Sequence, residues 1–143
     1  MIYLLRHGDA EDGHGDDAAR RLTEKGKRQA RDAGLALAAL GVRIDACLAS
    51  PKVRALETAR LACEALEVEV EATEALSGGP FDALDLAAGR GDILLVGHEP
   101  DFSNEIGRLT GANVGMKKGG IAVVDGSTLI ALLRPKEIKR IAG

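Results

Sequence analysis

Short runs of apolar, β-prone residues recur along the chain at 2–5 (IYLL), 46–49 (ACLA), 68–72 (VEVEA), 93–96 (ILLV), 121–124 (IAVV) and 129–133 (LIALL), with longer stretches of helical spacing between most of them. In the first such stretch Gly26, Ala30, Ala33, Leu37 and Leu40 share one face, while Lys25, Arg28 and Asp32 fall on another. Thr23 suits the N-cap and Gly41 the stop, which predicts a helix over 24–40. The small residues at 26 and 30 let that end lie close to a sheet. Ser50-Pro51 supplies a capping hydroxyl and a first-turn proline, predicting a second helix over 51–66 that buries Ala55, Ala59, Ala62 and Leu66. A short third helix is expected after Gly79-Pro80, a fourth from near Pro100 to Gly111, and a hairpin turn at Asp125-Gly126-Ser127-Thr128. Such alternation implies βαβ crossovers: an α/β fold with a mostly parallel open sheet, helices on both faces in three α/β/α layers, and an antiparallel edge from the final hairpin. The polar segment 11–22 (EDGHGDDAARRL) interrupts the order, as loops bordering a ligand crevice do.

A length of 143 residues with no internal repeat or linker fits a single domain over 1–143. Nineteen Lys+Arg against 22 Asp+Glu give a net charge of −3, and 45% apolar with 29% charged residues is a globular balance. That charge argues against polyanion binding. With only Tyr3, Phe81 and Phe102 as aromatics, a surface for stacking bases has almost nothing to build with, so no nucleic-acid partner is expected. No apolar run approaches the roughly 20 residues of a membrane span, and the first residues carry neither a basic lead nor a small-residue cleavage site. The expectation is a cytoplasmic protein without membrane contact. Cys47 and Cys63 lie inside apolar segments and read as two buried thiols rather than a zinc or redox pair.

Three segments end predicted parallel strands: Leu5-Arg6-His7-Gly8-Asp9-Ala10, Ala49-Ser50-Pro51-Lys52-Val53-Arg54 and Val96-Gly97-His98-Glu99-Pro100. Carboxyl ends of parallel strands share one sheet edge, so Arg6, His7, Arg54 and His98 are expected to meet in one crevice. Two guanidiniums suit a bidentate grip on phosphate oxygens, with the positive end of the Ser50-capped helix beside them. A histidine held there can attack phosphorus through a ring nitrogen, and water can hydrolyse the phosphoimidazole that results. The arginines and second imidazole carry the charge that a metal would otherwise neutralise, so no metal or other cofactor is expected. Zinc held by His7, His14 and His98 would be opposed by Arg6 and Arg54. The basic residues between 20 and 31, and Lys117 and Lys118, read as solvated surface.

The Arg6-His7-Gly8 triplet, the Leu22-Thr23-Glu24-Lys25-Gly26 helix opening, the Ser50-Pro51-x-x-Arg54-Ala55-x-x-Thr58-Ala59 stretch and the Gly97-His98 pair follow in order at fitting strand ends. By these four motifs the chain resembles the histidine phosphatase superfamily, most of all its short SixA-type phosphohistidine phosphatases, from residue 1 to about 125. The resemblance implies a phosphoglycerate mutase-like fold, His7 as nucleophile and phosphohistidine intermediate, and Arg6, Arg54 and His98 as the phosphate pocket. Ser50 and Gly8 would add substrate contacts. It implies a phosphorylated protein, through its phosphohistidine, as the partner; a monomer is expected. The alternatives are a small-molecule phosphomonoesterase of the same mechanism and a catalytically silent phosphate-binding module. Larger relatives carry pocket-capping insertions and a mid-chain glutamate as proton donor, whereas Glu74-Ala75-Leu76-Ser77-Gly78-Gly79 is short and has no acid after Leu76. An uncovered pocket suits phosphohistidine on a folded protein surface. Glu99, directly after His98, is the expected proton donor, as an acid so placed is in more distant members of the superfamily. Its alternative is a structural role at the start of the fourth helix, with Asp9 and Asp16 as the other candidate acids and Asp17 a further loop acid.

Overall fold

The computed structural model describes residues 1–13 and 15–143; His14 lies outside the described residues. Six strands are found among the described residues: β1 (Ile2–Arg6), β2 (Ala46–Ala49), β3 (Val70–Ala72), β4 (Ile93–Gly97), β5 (Ile121–Asp125) and β6 (Thr128–Leu133). They form one sheet in the order β3-β2-β4-β1-β5-β6. β3, β2, β4 and β1 are mutually parallel, and β5 and β6 continue the sheet antiparallel. The helices are α1 (Glu24–Ala39), α2 (Val53–Leu66), α3 (Ala83–Ala87), α4 (Asp101–Thr110) and α5 (Pro135–Ala142). No helix among the described residues is long and apolar enough to cross a membrane.

The central strands are apolar at nearly every position because both their faces are covered. Tyr3, Leu5, Leu94 and Val96 join a core with Leu37 of α1, Ala55 and Ala59 of α2 and Ile138 of α5. Ile2, Leu4, Ile93 and Leu95 join the opposite core with Ala83 of α3 and Phe102 and Ile106 of α4. Tyr3 sits beside Leu94 on one neighbouring strand and Val123 on the other, and burial raises its pKa. The first helix follows its pattern up to the last turn: Thr23 accepts from the Gly26 N–H at 3.1 Å, but the helix ends at Ala39 and Leu40, expected on the apolar face, is exposed in the cap position. A methyl group on Gly8 would come 2.5 Å from the Gly26 carbonyl oxygen, so the two glycines permit α1 to cross the end of β1.

The structure departs from the sequence reading at four places. The second helix starts at Val53 rather than 51, with Lys52 in the cap position. The Ser50 N–H instead donates to the Val96 carbonyl at 3.0 Å, prolonging the strand ladder and holding Ser50 at the sheet edge. The expected strand 68–72 pairs only over Val70–Ala72, since the chain leaves α2 through left-handed Glu67 (φ 54) and Val68 packs into the helical side of the core. Segment 11–22 contains a short 3-10 turn at Asp17–Ala19 and a bridge between Ala10 and Leu22. No pattern in the sequence predicts the C-terminal helix α5; Pro135 opens it, and the Glu137 carboxylate accepts from the Arg134 N–H at 3.1 Å and from its Nε at 2.8 Å.

Candidate active site

The parallel register aligns Arg6 with Gly97 and Ala49 with Val96, which brings the chain just past β1, β2 and β4 to one sheet edge. Arg6, His7, Arg54 and His98 line a common cleft of about 380 Å³ there. Three further cations, Arg20, Lys52 and Lys118, border it, so Lys118 is part of the site wall rather than remote surface.

His7 is buried, and its Nδ1 lies 2.7 Å from the Gly8 carbonyl oxygen. A carbonyl only accepts, so Nδ1 carries the proton and Nε2 keeps its lone pair. Burial, with Arg54, Arg6 and Lys118 nearby, pushes the His7 pKa down to about 4, against the bond to Gly8, which raises it. The ring is therefore neutral at neutral pH. The Gly8 N–H donates to Thr58 Oγ1 at 3.1 Å, and the Thr58 hydroxyl donates to the Arg54 carbonyl at 2.7 Å. Thr58 thus ties the end of β1 to the first turn of α2, a role the motif did not disclose.

The His98 ring lies 5.3 Å from that of His7, and its Nε2 is 2.8 Å from Ser50 Oγ. Ser50 is fully buried and its oxygen accepts from the Lys52 N–H at 3.2 Å. Its own proton has no other partner among these contacts, so it donates to His98 Nε2 and leaves the imidazole proton on Nδ1. Ser50 orients His98 rather than capping the helix. Burial, then the His7, Arg54 and Lys52 neighbourhood, lowers the His98 pKa to about 3. Arg6 donates to the Met116 carbonyl at 2.7 Å, and Arg54 donates to the Asp17 carbonyl at 2.9 Å and to Asp17 Oδ2 at 3.2 Å. Among the described residues three buried nitrogens lack a partner: Arg6 Nε, Arg54 Nε and His98 Nδ1. An unmade buried donor costs roughly 1–3 kcal/mol, and all three belong to residues of this cleft, which is therefore rich in unspent donors for an oxyanion.

The expected acids have other partners. Glu99 accepts from the Ser103 N–H at 2.7 Å with one oxygen and from the Met116 N–H at 3.1 Å with the other. Asp9 accepts from the Thr23 hydroxyl at 2.8 Å and lies 3.5 Å from Lys118; the Thr23 bond lowers its pKa. Asp16 caps the 3-10 turn through the Ala18 N–H. Glu99 and Asp101 are the acids that line the cleft. Asp17 stands outside that lining but pairs with its Arg54 and Lys52, and hydrogen bonding to Arg20, with Arg54 and Lys52 beside it, lowers its pKa. Among the described residues no group of three or more His, Cys, Asp or Glu side chains is arranged to hold a metal; His14, invoked for zinc, lies outside them.

Residues 2–87 match the Histidine phosphatase superfamily (branch 1). Over 70 residues the chain is 40% identical to the mitochondrial serine/threonine-protein phosphatase Pgam5 of Drosophila ananassae, covering 49% of this chain and 24% of that protein. The chain thus spans about a quarter of the length of the curated relatives it matches. It superposes on the protein histidine phosphatase SixA complexed with tungstate with a TM-score of 0.84 at 23% identity, over 96% of this chain and 99% of that one. For the putative phosphohistidine phosphatase SixA of Agrobacterium tumefaciens the TM-score is 0.81 at 24% identity, over 94% and 97% of the two chains. The fold is the phosphoglycerate mutase-like one expected from the motifs, and with a family match over more than half its length this chain belongs to the histidine phosphatase superfamily, branch 1.

Proposed function

We propose that the chain is a metal-independent phosphatase that acts on protein-borne phosphohistidine through a phosphorylated His7. The observation that carries this reading is the His7 Nδ1–Gly8 bond, which leaves an uncharged Nε2 lone pair in a cleft lined by Arg6 and Arg54. Nε2 attacks phosphorus, the bond from phosphorus to the substrate nitrogen breaks, and that nitrogen takes a proton. The guanidiniums and the His98 Nδ1–H stabilise the transferring phosphoryl oxygens. Water then attacks the phosphorylated His7 and releases phosphate. Phosphohistidine is favoured as substrate because its leaving nitrogen demands little acid catalysis, and Glu99, Asp9 and Asp16 are all otherwise engaged.

Rapid quenching of the enzyme during turnover of a phosphohistidine peptide tests the mechanism. The expected result is an acid-labile, base-stable phosphate on His7, absent in His7→Ala, with rates unchanged by EDTA. Sugar phosphates hydrolysed faster than the phosphohistidine peptide would overturn the substrate assignment, and activity lost to EDTA and restored by zinc would overturn metal independence.

A further inference from the structure

A second groove, of about 310 Å³, lies between α1 and α5. Four cations border it, Lys25, Arg28, Lys136 and Lys139, against one acid, Asp32, in a chain whose net charge is −3. All four are exposed, and among the described residues none is paired with a carboxylate. Cations of a solvated face commonly alternate with acids, as Lys27 with Glu24 and Arg134 with Glu137 do on these same helices. The groove gathers four of the unpaired ones; Arg31 and Arg140, on the same two helices, lie outside it.

It also shares a wall with the catalytic cleft. Gly119 lines the groove, and its N–H donates to the carbonyls of Arg6 and His7 at 3.1 and 3.0 Å. Its neighbour Lys118 lines the cleft. Gln29, also in the groove, accepts from the Asp9 N–H at 2.8 Å. A compact phosphoester held by Arg6 and Arg54 occupies the cleft alone, whereas a phosphorylated residue on a macromolecule carries its surroundings across this wall.

We infer that the groove between α1 and α5 receives acidic side chains of the phosphoprotein whose phosphoryl group enters the neighbouring cleft. The inference rests on the protein-substrate reading above and deepens it: selectivity comes from the charge around the phosphoresidue. Each exposed ion pair contributes little, yet four acting together select an acidic partner by about tenfold, an effect that salt screens.

The test uses two phosphohistidine peptides, one flanked by Asp and Glu and its counterpart flanked by Asn and Gln, with p-nitrophenyl phosphate as a compact control. For the intact chain kcat/KM is expected to favour the acidic peptide by about tenfold at low salt, mainly through KM. In the variant Lys25→Ala, Arg28→Ala, Lys136→Ala, Lys139→Ala that preference disappears, while the neutral peptide and p-nitrophenyl phosphate are turned over as before and the circular dichroism is unchanged. Equal kcat/KM on the two peptides for the intact chain overturns the groove assignment and leaves the substrate reading standing. Turnover of p-nitrophenyl phosphate but of neither peptide overturns the substrate reading itself. Tight binding of inorganic tripolyphosphate, lost in the quadruple variant, with no preference between peptides would assign the groove to a small polyanion and overturn the inference.

Discussion

Glu99 accepts backbone N–H bonds through both carboxylate oxygens, one from Ser103 in the first turn of α4 and one from Met116, whose carbonyl in turn receives Arg6. The carboxylate is thus two bonds away from the Arg6 guanidinium of the cleft, and we expect it to act through position. Glu99→Gln forfeits one acceptor and turns an amide N–H toward a backbone N–H, a mismatch of roughly 1–3 kcal/mol. Activity should fall by the same factor on p-nitrophenyl phosphate and on an alkyl phosphate. A general acid behaves otherwise: its removal slows the poor leaving group by roughly 10²–10⁴-fold and spares the good one. Steady-state kinetics on the two esters decide. Arg54 gives a different expectation, because its fork anchors to Asp17 through both terminal nitrogens while Nε has no partner. Arg54→Lys keeps the charge and loses the planar geometry, so kcat/KM should drop by about 10²-fold or more, in the range for removing one oxyanion donor.

The turn Asp17–Ala19 sets Asp17 against Arg54, Lys52 and Arg20, so a carboxylate stands on the cations proposed to hold the phosphoryl group. On the proposed mechanism substrate displaces it. Asp17 itself is exposed, and ion pairs screened by solvent are worth roughly 0.2–1 kcal/mol, so Asp17→Asn should tighten inhibition by inorganic phosphate about two- to fivefold, read from the inhibition constant. A weakened inhibition would mean that Asp17 aligns Arg54 instead of competing for it. This pairing joins residues 37 apart and has no periodicity, which is why segment 11–22 could be read only as a loop near the crevice. The strand runs, the Gly26 and Ala30 face and the Gly111 stop were legible because they express local rules of burial, close approach and capping. Ser50-Pro51 misled because a buried hydroxyl bound to His98 has the same sequence signature as a cap. α5 escaped because its eight residues offer a single buried apolar side chain, Ile138, too little for a period to register.

Over the whole molecule, both cleft histidines are buried uncharged. In the unfolded chain they protonate near 6.5, and in the fold only at about 4 and about 3. Between those values the unfolded chain binds up to two more protons, so stability is fully present above pH 6.5 and declines as pH falls through that window. Each histidine contributes a slope of about 1.4 kcal/mol per pH unit. Urea unfolding should give a flat midpoint above neutrality and a falling one toward pH 5, and His7→Gln with His98→Gln should remove most of the fall. Asp9 and Asp17, whose pKa values are lowered, add a loss only under more acid conditions. These titrations can be followed by an unusually local signal. The chain has no tryptophan and a single tyrosine, which stands in the middle of the sheet beside Leu94 and Val123. All of its tyrosine emission, and all of the absorbance change from phenolate formation in alkali, arises at that one point. Since burial delays ionisation of Tyr3, an alkaline absorbance step reports opening of the sheet and not a surface titration. A transition visible in fluorescence but silent in helical circular dichroism would belong to the innermost strand.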